Sequence, residues 1–361
     1  MNVALQISWR RGSGPGRSCA GLDSWRARRI PSAARRLGRL FAFSLLWLWI
    51  GALPVAGQRI FPPHSTVEGK TLPEWSADWW KWAFALPGTG HPFFDETGAD
   101  ALRGQSGPVV LLVGVAFESG RATRSITIQD DNYLFFPINN TASVSTGENP
   151  WGGVTEQLLD GASEVIAQVI DLQCSIDGVP FTNLTYTTGA PVTKLFDHRE
   201  VSPEFSIWLP QTNNVFQRFG FDLRGISDPC SSDGFWLMLA PLPTGSHRLV
   251  FRAGLGPPSN FTLEIIYHLT VQPLDVARAL HTLLKSVTSA GLPPGRVRAL
   301  TASLKAAQSS FDSNKLGAVI HQLRKFQHKV RAEVATLNQS LAEEWNRAAQ
   351  RIIDAATRRR P

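Results

Sequence analysis

Four of the twelve tryptophans in this chain lie within eight residues of one another, as Trp75, Trp79, Trp80 and Trp82. Just before them, Thr71 and Glu74 have the spacing of a capping box, which predicts the start of a helix. Trp75, Trp79 and Trp82 recur at helical intervals and therefore share one face of that helix. An exposed stripe of this size would adhere to other molecules. We expect it to cover a large apolar core or, alternatively, to form an aromatic surface for a sugar or another ligand.

Residues 1–57 have the composition of an export leader rather than of a folded domain. Nine arginines and one aspartate precede an apolar run at residues 40–53, and small residues follow at 55–57. A basic segment, an apolar core and a small-residue exit are the three parts of a signal peptide. The sequence therefore predicts an exported protein that is periplasmic, cell-surface or extracellular. The alternative is an uncleaved membrane anchor through residues 40–56.

Once the leader is set aside, positive charge is concentrated at the C-terminal end. Residues 58–272 carry 12 basic and 22 acidic side chains, a net charge of −10, whereas residues 273–361 carry 15 basic and six acidic ones, a net charge of +9. The sequence thus divides into an acidic body at 58–272 and a basic tail at 273–361. No nucleic-acid-binding motif accompanies the basic charge, so we expect no nucleic-acid partner.

Cys174 and Cys230 are the two cysteines that follow the leader. An even number of cysteines in an oxidising compartment favours a disulfide, and we predict a structural Cys174–Cys230 bridge. Neither cysteine stands in a cysteine–histidine pattern with zinc spacing. The sequence accordingly predicts no metal site and no cofactor.

Past the Trp-rich helix, the body consists of short β-like segments broken by Gly, Pro, Asn and Asp. Residues 123–128 alternate polar and apolar side chains, and the turn sequence Asp130–Asn132 leads into a further β-like segment at 133–138. This pattern predicts a mainly antiparallel β-sandwich or jelly roll, with one helical insertion at about 154–169. We expect the Trp-rich helix to cover one face or end of it.

Carboxylates are the main candidates for chemistry in the body. Sugar hydrolysis needs two of them facing one bond, but Asp95, Asp100 and Asp177 stand in no context that fixes a partner. Asp130 and Asp131 suit either a tight turn or a calcium site. The histidines stand singly, and none lies in a His-Glu-x-x-His pattern. No catalytic residue is therefore assigned from the sequence.

The body resembles a family of uncharacterised exported bacterial proteins. The resemblance rests on an ordered series of segments: GKTLPEWSADWWKW at 69–82, GQSGPV at 104–109, LFFPIN at 134–139, IDG at 176–178, DGFW at 233–236 and PLPTGSH at 241–247. It covers most of residues 66–255. What it implies is an exported, β-rich body without an assigned activity.

In the tail, apolar residues recur every three or four positions, which predicts four amphipathic helices packed as a bundle. Ser340 and Glu343 have capping-box spacing and predict the start of the last helix. The tail is similar to the FIMAH domain, a helical module at the C-termini of secreted or surface bacterial proteins. The similarity lies in SNKLGAVIHQLRKFQHKV at 313–330 and in the segment 341–356. It implies a binding or attachment module.

Arg324, Lys325, Lys329 and Arg331 form a basic face in the tail. This face is either a solvated helical surface or a contact for the acidic body, an anionic envelope polymer, a polysaccharide or a membrane surface. Two functions fit the sequence. One is a non-catalytic secreted or envelope protein with a helical attachment module, and the other is a secreted, carbohydrate-active hydrolase with its active site in the acidic body. A carboxylate cluster in a cleft would favour the hydrolase.

Overall fold

The computed structural model describes residues 60–115, 119–145, 155–181, 186–187 and 198–359. The predicted leader at 1–57 lies outside these residues. Within them, the chain begins with a small hairpin and the Trp-rich helix, continues mainly as β-strands and ends in four helices. No helix in the described ranges combines the length and the apolar character needed to cross a membrane.

The described ranges contain thirteen strands, seven α-helices and one 3-10 helix at Pro92–Phe94. The strands are β1 (Thr66–Val67), β2 (Lys70–Thr71), β3 (Val109–Leu111), β4 (Gly120–Gln129), β5 (Tyr133–Val144), β6 (Val169–Ile176), β7 (Val179–Pro180), β8 (Tyr186–Thr187), β9 (Arg199–Val201), β10 (Phe205–Leu209), β11 (Gly225–Leu239), β12 (Gly245–Leu255) and β13 (Thr262–Gln272). The helices are α1 (Leu72–Ala85), α2 (Thr155–Ile166), α3 (Val215–Arg218), α4 (Val276–Ser289), α5 (Pro294–Asp312), α6 (Leu316–Glu333) and α7 (Gln339–Arg358).

Helix α1 begins where the capping box predicts. The Thr71 N–H donates to Glu74 Oε2 at 2.7 Å, and the Glu74 N–H donates to Thr71 Oγ1 at 3.4 Å. Two of the helix's otherwise unpaired N–H groups are satisfied in this way. The buried face differs from the predicted stripe, since Trp79 and Trp80 are buried while Trp75 and Trp82 are half-buried.

The body contains a five-stranded and a six-stranded sheet. The five-stranded sheet has the order β10–β11–β5–β3, with β9 also paired to β11; the six-stranded sheet has the order β4–β13–β12–β6–β7, with β8 paired to β6. Pairing in the described residues is antiparallel except between β3 and β5 and between β4 and β13. The chain is thus a mixed α and β protein with mainly antiparallel pairing.

The five-stranded sheet lies between two hydrophobic cores. Successive side chains of a strand point to opposite faces. On one face, Phe136 and Leu237 join a core shared with Phe251 of the six-stranded sheet. On the other face, Phe135 and Trp236 join the core beneath α1. The two sheets therefore pack face to face, and α1 covers the outer face of the five-stranded one.

Arg124 on β4 is fully buried and ties three parts of the body together. Its Nε donates to Asp95 O at 2.6 Å, and its Nη1 donates to Val113 O and to Tyr267 Oη at 2.7 and 3.2 Å. Its Nη2 donates to the carbonyl oxygens of residues 92 and 114 at 3.3 and 2.9 Å. All five guanidinium donors are used within the protein, so this buried cation has none left for a ligand.

Helices α4–α7 enclose a hydrophobic core whose buried members all come from residues 274–356, among them Leu280, Leu304 and Trp345. The last helix starts earlier than predicted. The Leu341 N–H donates to Asn338 Oδ1 at 2.9 Å, so Asn338 rather than Ser340 is its N-cap. An asparagine at this position is as good a cap as serine, which is why the sequence pattern alone misplaced the start.

Candidate functional site

The tryptophans of α1 serve mainly as core residues. The indole N–H of Trp79 donates to Leu112 O at 2.9 Å, and its ring lies edge-on to Trp236 at 5.4 Å between centroids. The half-buried Trp75 and Trp82 also donate their indole N–H groups to backbone oxygens, each at 2.9 Å. With their polar atoms engaged inside the protein, three of the four indoles are fixed by packing. This geometry favours the core alternative over an aromatic binding surface.

A buried carboxylate that sequence reasoning did not single out lies on β9. Glu200 is fully buried; its Oε1 accepts the His64 N–H at 2.7 Å, and its Oε2 is 2.8 Å from His64 Nδ1. His64 has a φ of 58°, a left-handed conformation that brings its backbone N–H and its ring to the same carboxylate. The arrangement holds the segment before α1 on the sheet.

Asp95, one of the candidate catalytic carboxylates, has local partners. Asp95 accepts the N–H groups of Thr97, Gly98 and Asp100 at 2.8–2.9 Å. Burial acts to raise the pKa of Asp95, but these bonds and the Thr97 hydroxyl outweigh it, so the pKa is lowered. Ionised and fully hydrogen-bonded, Asp95 holds its own loop in shape.

Asp177 is likewise occupied by neighbours. Its Oδ2 is 2.8 Å from His247 Nδ1, and its Oδ1 accepts the Arg248 N–H at 2.8 Å. The other ring nitrogen of His247 is 2.9 Å from Pro243 O. In the described part of the chain, no three His, Cys, Asp or Glu side chains are grouped as metal ligands would be. The contacts of Asp177 thus hold the turn between β6 and β7 to β12.

The predicted disulfide between Cys174 and Cys230 is wrong for this structure, in which both are free, buried thiols. Cys174 lies in the core between the two sheets, and Cys230 lies in the core beneath α1. Their side chains are on opposite sides of the five-stranded sheet, which prevents the close approach that a disulfide needs. Burial raises the pKa of both thiols and makes them poor nucleophiles.

The predicted basic face of the tail is only partly available. Arg324, Lys325 and Arg331 are exposed on α6. Lys329 is not, because its Nζ donates to Ala299 O at 2.7 Å and to Ser303 Oγ at 3.0 Å on α5. Lys329 therefore joins two helices. We call Arg324, Lys325 and Arg331 the α6 basic face.

A different set of tail arginines contacts the body, beginning with those near Glu68. Glu68 and Gly69 form the turn of the β1–β2 hairpin, with φ values of 50° and 84°. Positive φ at both central residues is typical of a tight two-residue turn. Glu68 Oε2 is 3.2 Å from Arg347 Nε and 3.0 Å from Arg351 Nη1 on α7. The hairpin turn thus pairs one carboxylate with two arginines of the tail.

The second contact lies at the turn between β4 and β5. Asp130 Oδ1 is 3.1 Å from Arg358 Nη2 and accepts the Leu274 N–H at 2.9 Å. Asp131 Oδ2 is 3.4 Å from Arg351 Nε. Burial raises the pKa of Asp131 despite the opposing effect of Arg351. These partners favour the turn interpretation of Asp130 and Asp131 over calcium binding.

The basic face predicted from the sequence has the acidic body among its candidate contacts, but it does not include Arg347 and Arg351. Their spacing held a signal. Arg347, Arg351 and Arg358 are four and seven residues apart along α7, which places them on one helical face. What the spacing does not reveal is which of the two basic helices meets the body.

Comparisons with known proteins yield only faint likenesses. No family model matches the chain, and no curated protein matches it. A solved structure titled "Structure of PbICP-C in complex with falcipain-2" is 13% identical, covers 46% of this chain and 100% of that one, and has a TM-score of 0.20. The structure of Astrotactin-2, described as a perforin-like membrane protein, is 10% identical, covers 61% of this chain and 33% of that one, and has a TM-score of 0.13. Neither likeness carries an argument about function.

Proposed function

We propose that this is a non-catalytic exported protein whose C-terminal helices attach it to an anionic polymer of the cell envelope. In this proposal the body is a β-sandwich of jelly-roll type, and the tail is a four-helix bundle of the FIMAH kind. The observation that carries the proposal is that the basic side chains of α6 and those of α7 have different surroundings. Those of α7 contact the body, and those of the α6 basic face point to solvent.

The α6 basic face has the properties of an electrostatic binding surface. Arg324, Lys325 and Arg331 are exposed and form no ion pair with any side chain in the described ranges. His321 and His328 are exposed beside them on the same helix. Because the helix backbone fixes their spacing, these cations are held ready for a repeating anion. The pairing of Glu68, Asp130 and Asp131 with α7 leaves this face uncovered by those acidic groups.

The carboxylates of the body support a non-catalytic role. Asp95 and Asp177 are held by backbone N–H groups, and Asp130 and Asp131 face arginines of α7. A glycoside hydrolase needs two carboxylates on either side of one bond, with room for a sugar between them. The local partners of Asp95, Asp177, Asp130 and Asp131 occupy these carboxylates, which favours the non-catalytic alternative over the hydrolase.

A charge-reversal experiment tests the proposal. Binding of the purified protein to polygalacturonate, a soluble anionic polysaccharide, is measured at low and high salt. The triple variant Arg324→Glu, Lys325→Glu and Arg331→Glu is expected to bind at least about tenfold more weakly, equivalent to about 1.4 kcal/mol. High salt should weaken wild-type binding as well, because the contacts are exposed.

The matched control reverses three other exposed cations of the tail. The variant with Lys285→Glu, Arg298→Glu and Lys305→Glu changes the net charge by the same amount, on α4 and α5. It should retain most of the binding. Equal losses in the two triple variants would show attraction by net charge alone and contradict a specific face. If wild type binds phosphatidylglycerol vesicles but not polygalacturonate, the ligand of the α6 basic face is a membrane surface and the polymer assignment is wrong.

A further inference from the structure

Among the described residues, Trp208 is the one exposed tryptophan, and it lies at the edge of the five-stranded sheet. Its side chain is 52% exposed, and it lies directly opposite Ile226 of β11, which is 76% exposed. On either side of Trp208, Ile207 and Leu209 are buried in the core beneath α1. The buried side chains of Ile207 and Leu209 anchor the strand, so the backbone presents the Trp208 side chain on the outward face.

Polar groups lie beside this apolar pair on the same face. Ser206 precedes Trp208 by two residues, and Asp228 follows Ile226 by two, so all four side chains point outward. The Ser206 hydroxyl donates to Asp228 Oδ1 at 2.9 Å. That bond fixes the carboxylate and leaves its other oxygen as a hydrogen-bond acceptor for a ligand. The result is a flat apolar surface with an oriented acceptor at its margin.

The size and charge of this surface restrict what it can bind. A stable protein interface buries about 1,200–2,000 Å² in total. Two side chains provide far less, so this surface suits a small ligand better than a protein partner. The carboxylate of Asp228 would repel an anionic polymer, in contrast to the α6 basic face. A pyranose ring has an apolar C–H face that packs on an indole and hydroxyl groups that donate to a carboxylate.

We infer that Ser206, Trp208, Ile226 and Asp228, here called the Trp208 platform, bind one ring of a neutral polysaccharide. Trp208 and Ile226 contact the ring face, and Asp228 accepts a hydrogen bond from a hydroxyl group. The inference does not depend on the proposed function, because the platform lies on the body and its contacts are not ionic. Binding through it is expected to persist at high salt.

The test is co-sedimentation of the purified protein with cellulose, chitin, xylan and starch, each at low and high salt. Wild type is expected to bind at least one of the four in high salt. Trp208→Ala should weaken that binding about tenfold, Trp208→Tyr should retain most of it, and Asp228→Asn should weaken it by about three- to fivefold. Leu337→Ala, which removes an exposed apolar side chain of the tail, is the matched control and should bind like wild type.

Several results would overturn the inference. Failure of wild type to bind any of the four polysaccharides in high salt is one, and unchanged binding by Trp208→Ala is another. Sedimentation velocity of the free protein supplies a third. If wild type self-associates and Trp208→Ala does not, the platform is a protein contact and the sugar assignment is wrong. If the α6 triple variant bound polygalacturonate as well as wild type does, the proposed function would fail but this inference would not, because α6 and the Trp208 platform are different surfaces.

Discussion

Acidic pH is expected to destabilise the protein through His91, which is only 2% exposed. Its Nε2 donates to Ala83 O at 2.8 Å, and its Nδ1 accepts the Phe93 N–H at 3.1 Å. A neutral imidazole satisfies both bonds, but a protonated one places a hydrogen on Nδ1 and loses the second. Burial lowers the pKa of His91 to about 4, with the bond to Ala83 opposing this effect and Arg103 and Arg218 reinforcing it.

The direction of the pH effect follows from this lowered pKa. The unfolded chain takes up a proton near the ordinary value of 6.5, whereas the folded protein does so only near 4. Stability contributed by neutral His91 is therefore complete above about pH 6.5 and is lost as the pH falls toward 4. The difference between the two pKa values corresponds to about 3 kcal/mol of the free energy of unfolding, of which about 2 kcal/mol is lost by pH 5.

Urea unfolding followed by tryptophan fluorescence at about pH 8 and pH 5 measures this loss. Wild type and His91→Gln are compared, so that carboxylates common to both proteins cancel. The free energy of unfolding of wild type should fall by about 2 kcal/mol more than that of the variant. Equal losses in the two proteins would refute the assignment of the effect to His91.

Two further predictions concern buried and interfacial charges. Arg124→Met should lower the free energy of unfolding by about 3–5 kcal/mol, because it removes five hydrogen bonds from a fully buried site. A loss below about 1 kcal/mol in urea unfolding would show that these hydrogen bonds do not stabilise the body. Glu68→Gln should weaken the contact of α7 with the body by about 1–2 kcal/mol and speed hydrogen exchange along that helix. Glu343→Gln, which removes a more exposed carboxylate 3.7 Å from Arg347 within the tail, is its control, and equal exchange rates in the two variants would count against the contact.

Local patterns predicted the elements whose formation depends on neighbours in sequence. The capping box of Thr71 and Glu74 sets the start of α1, and the three-or-four spacing of apolar residues predicts the tail helices. Which face of α1 is buried depends instead on the sheet beneath it. Trp79 lies edge-on to Trp236 of a distant strand, and Trp80 lies edge-on to Trp79. These contacts draw both rings into the core beneath α1 and leave Trp75 half-buried.

Features that depend on distant pairing could not be predicted in this way. Strand β4 pairs in parallel with β13, more than 130 residues later, and no periodicity within either strand specifies that partner. The disulfide prediction failed for the same reason, because cysteine number and compartment say nothing about which face of a sheet each thiol occupies. Trp208 was missed because a single tryptophan in an alternating strand looks like many others until its outward face is known.

The distribution of charge in the tail bears on how an attached protein would hold its body. Arg347, Arg351 and Arg358 belong to α7 and are paired with body carboxylates, whereas Arg324, Lys325 and Arg331 belong to α6 and are exposed. Because the two sets lie on different helices, binding of a polymer to α6 would not require the α7 contacts to break. The body would then be carried at the polymer surface by a docked bundle, in a defined orientation, rather than on a flexible tether.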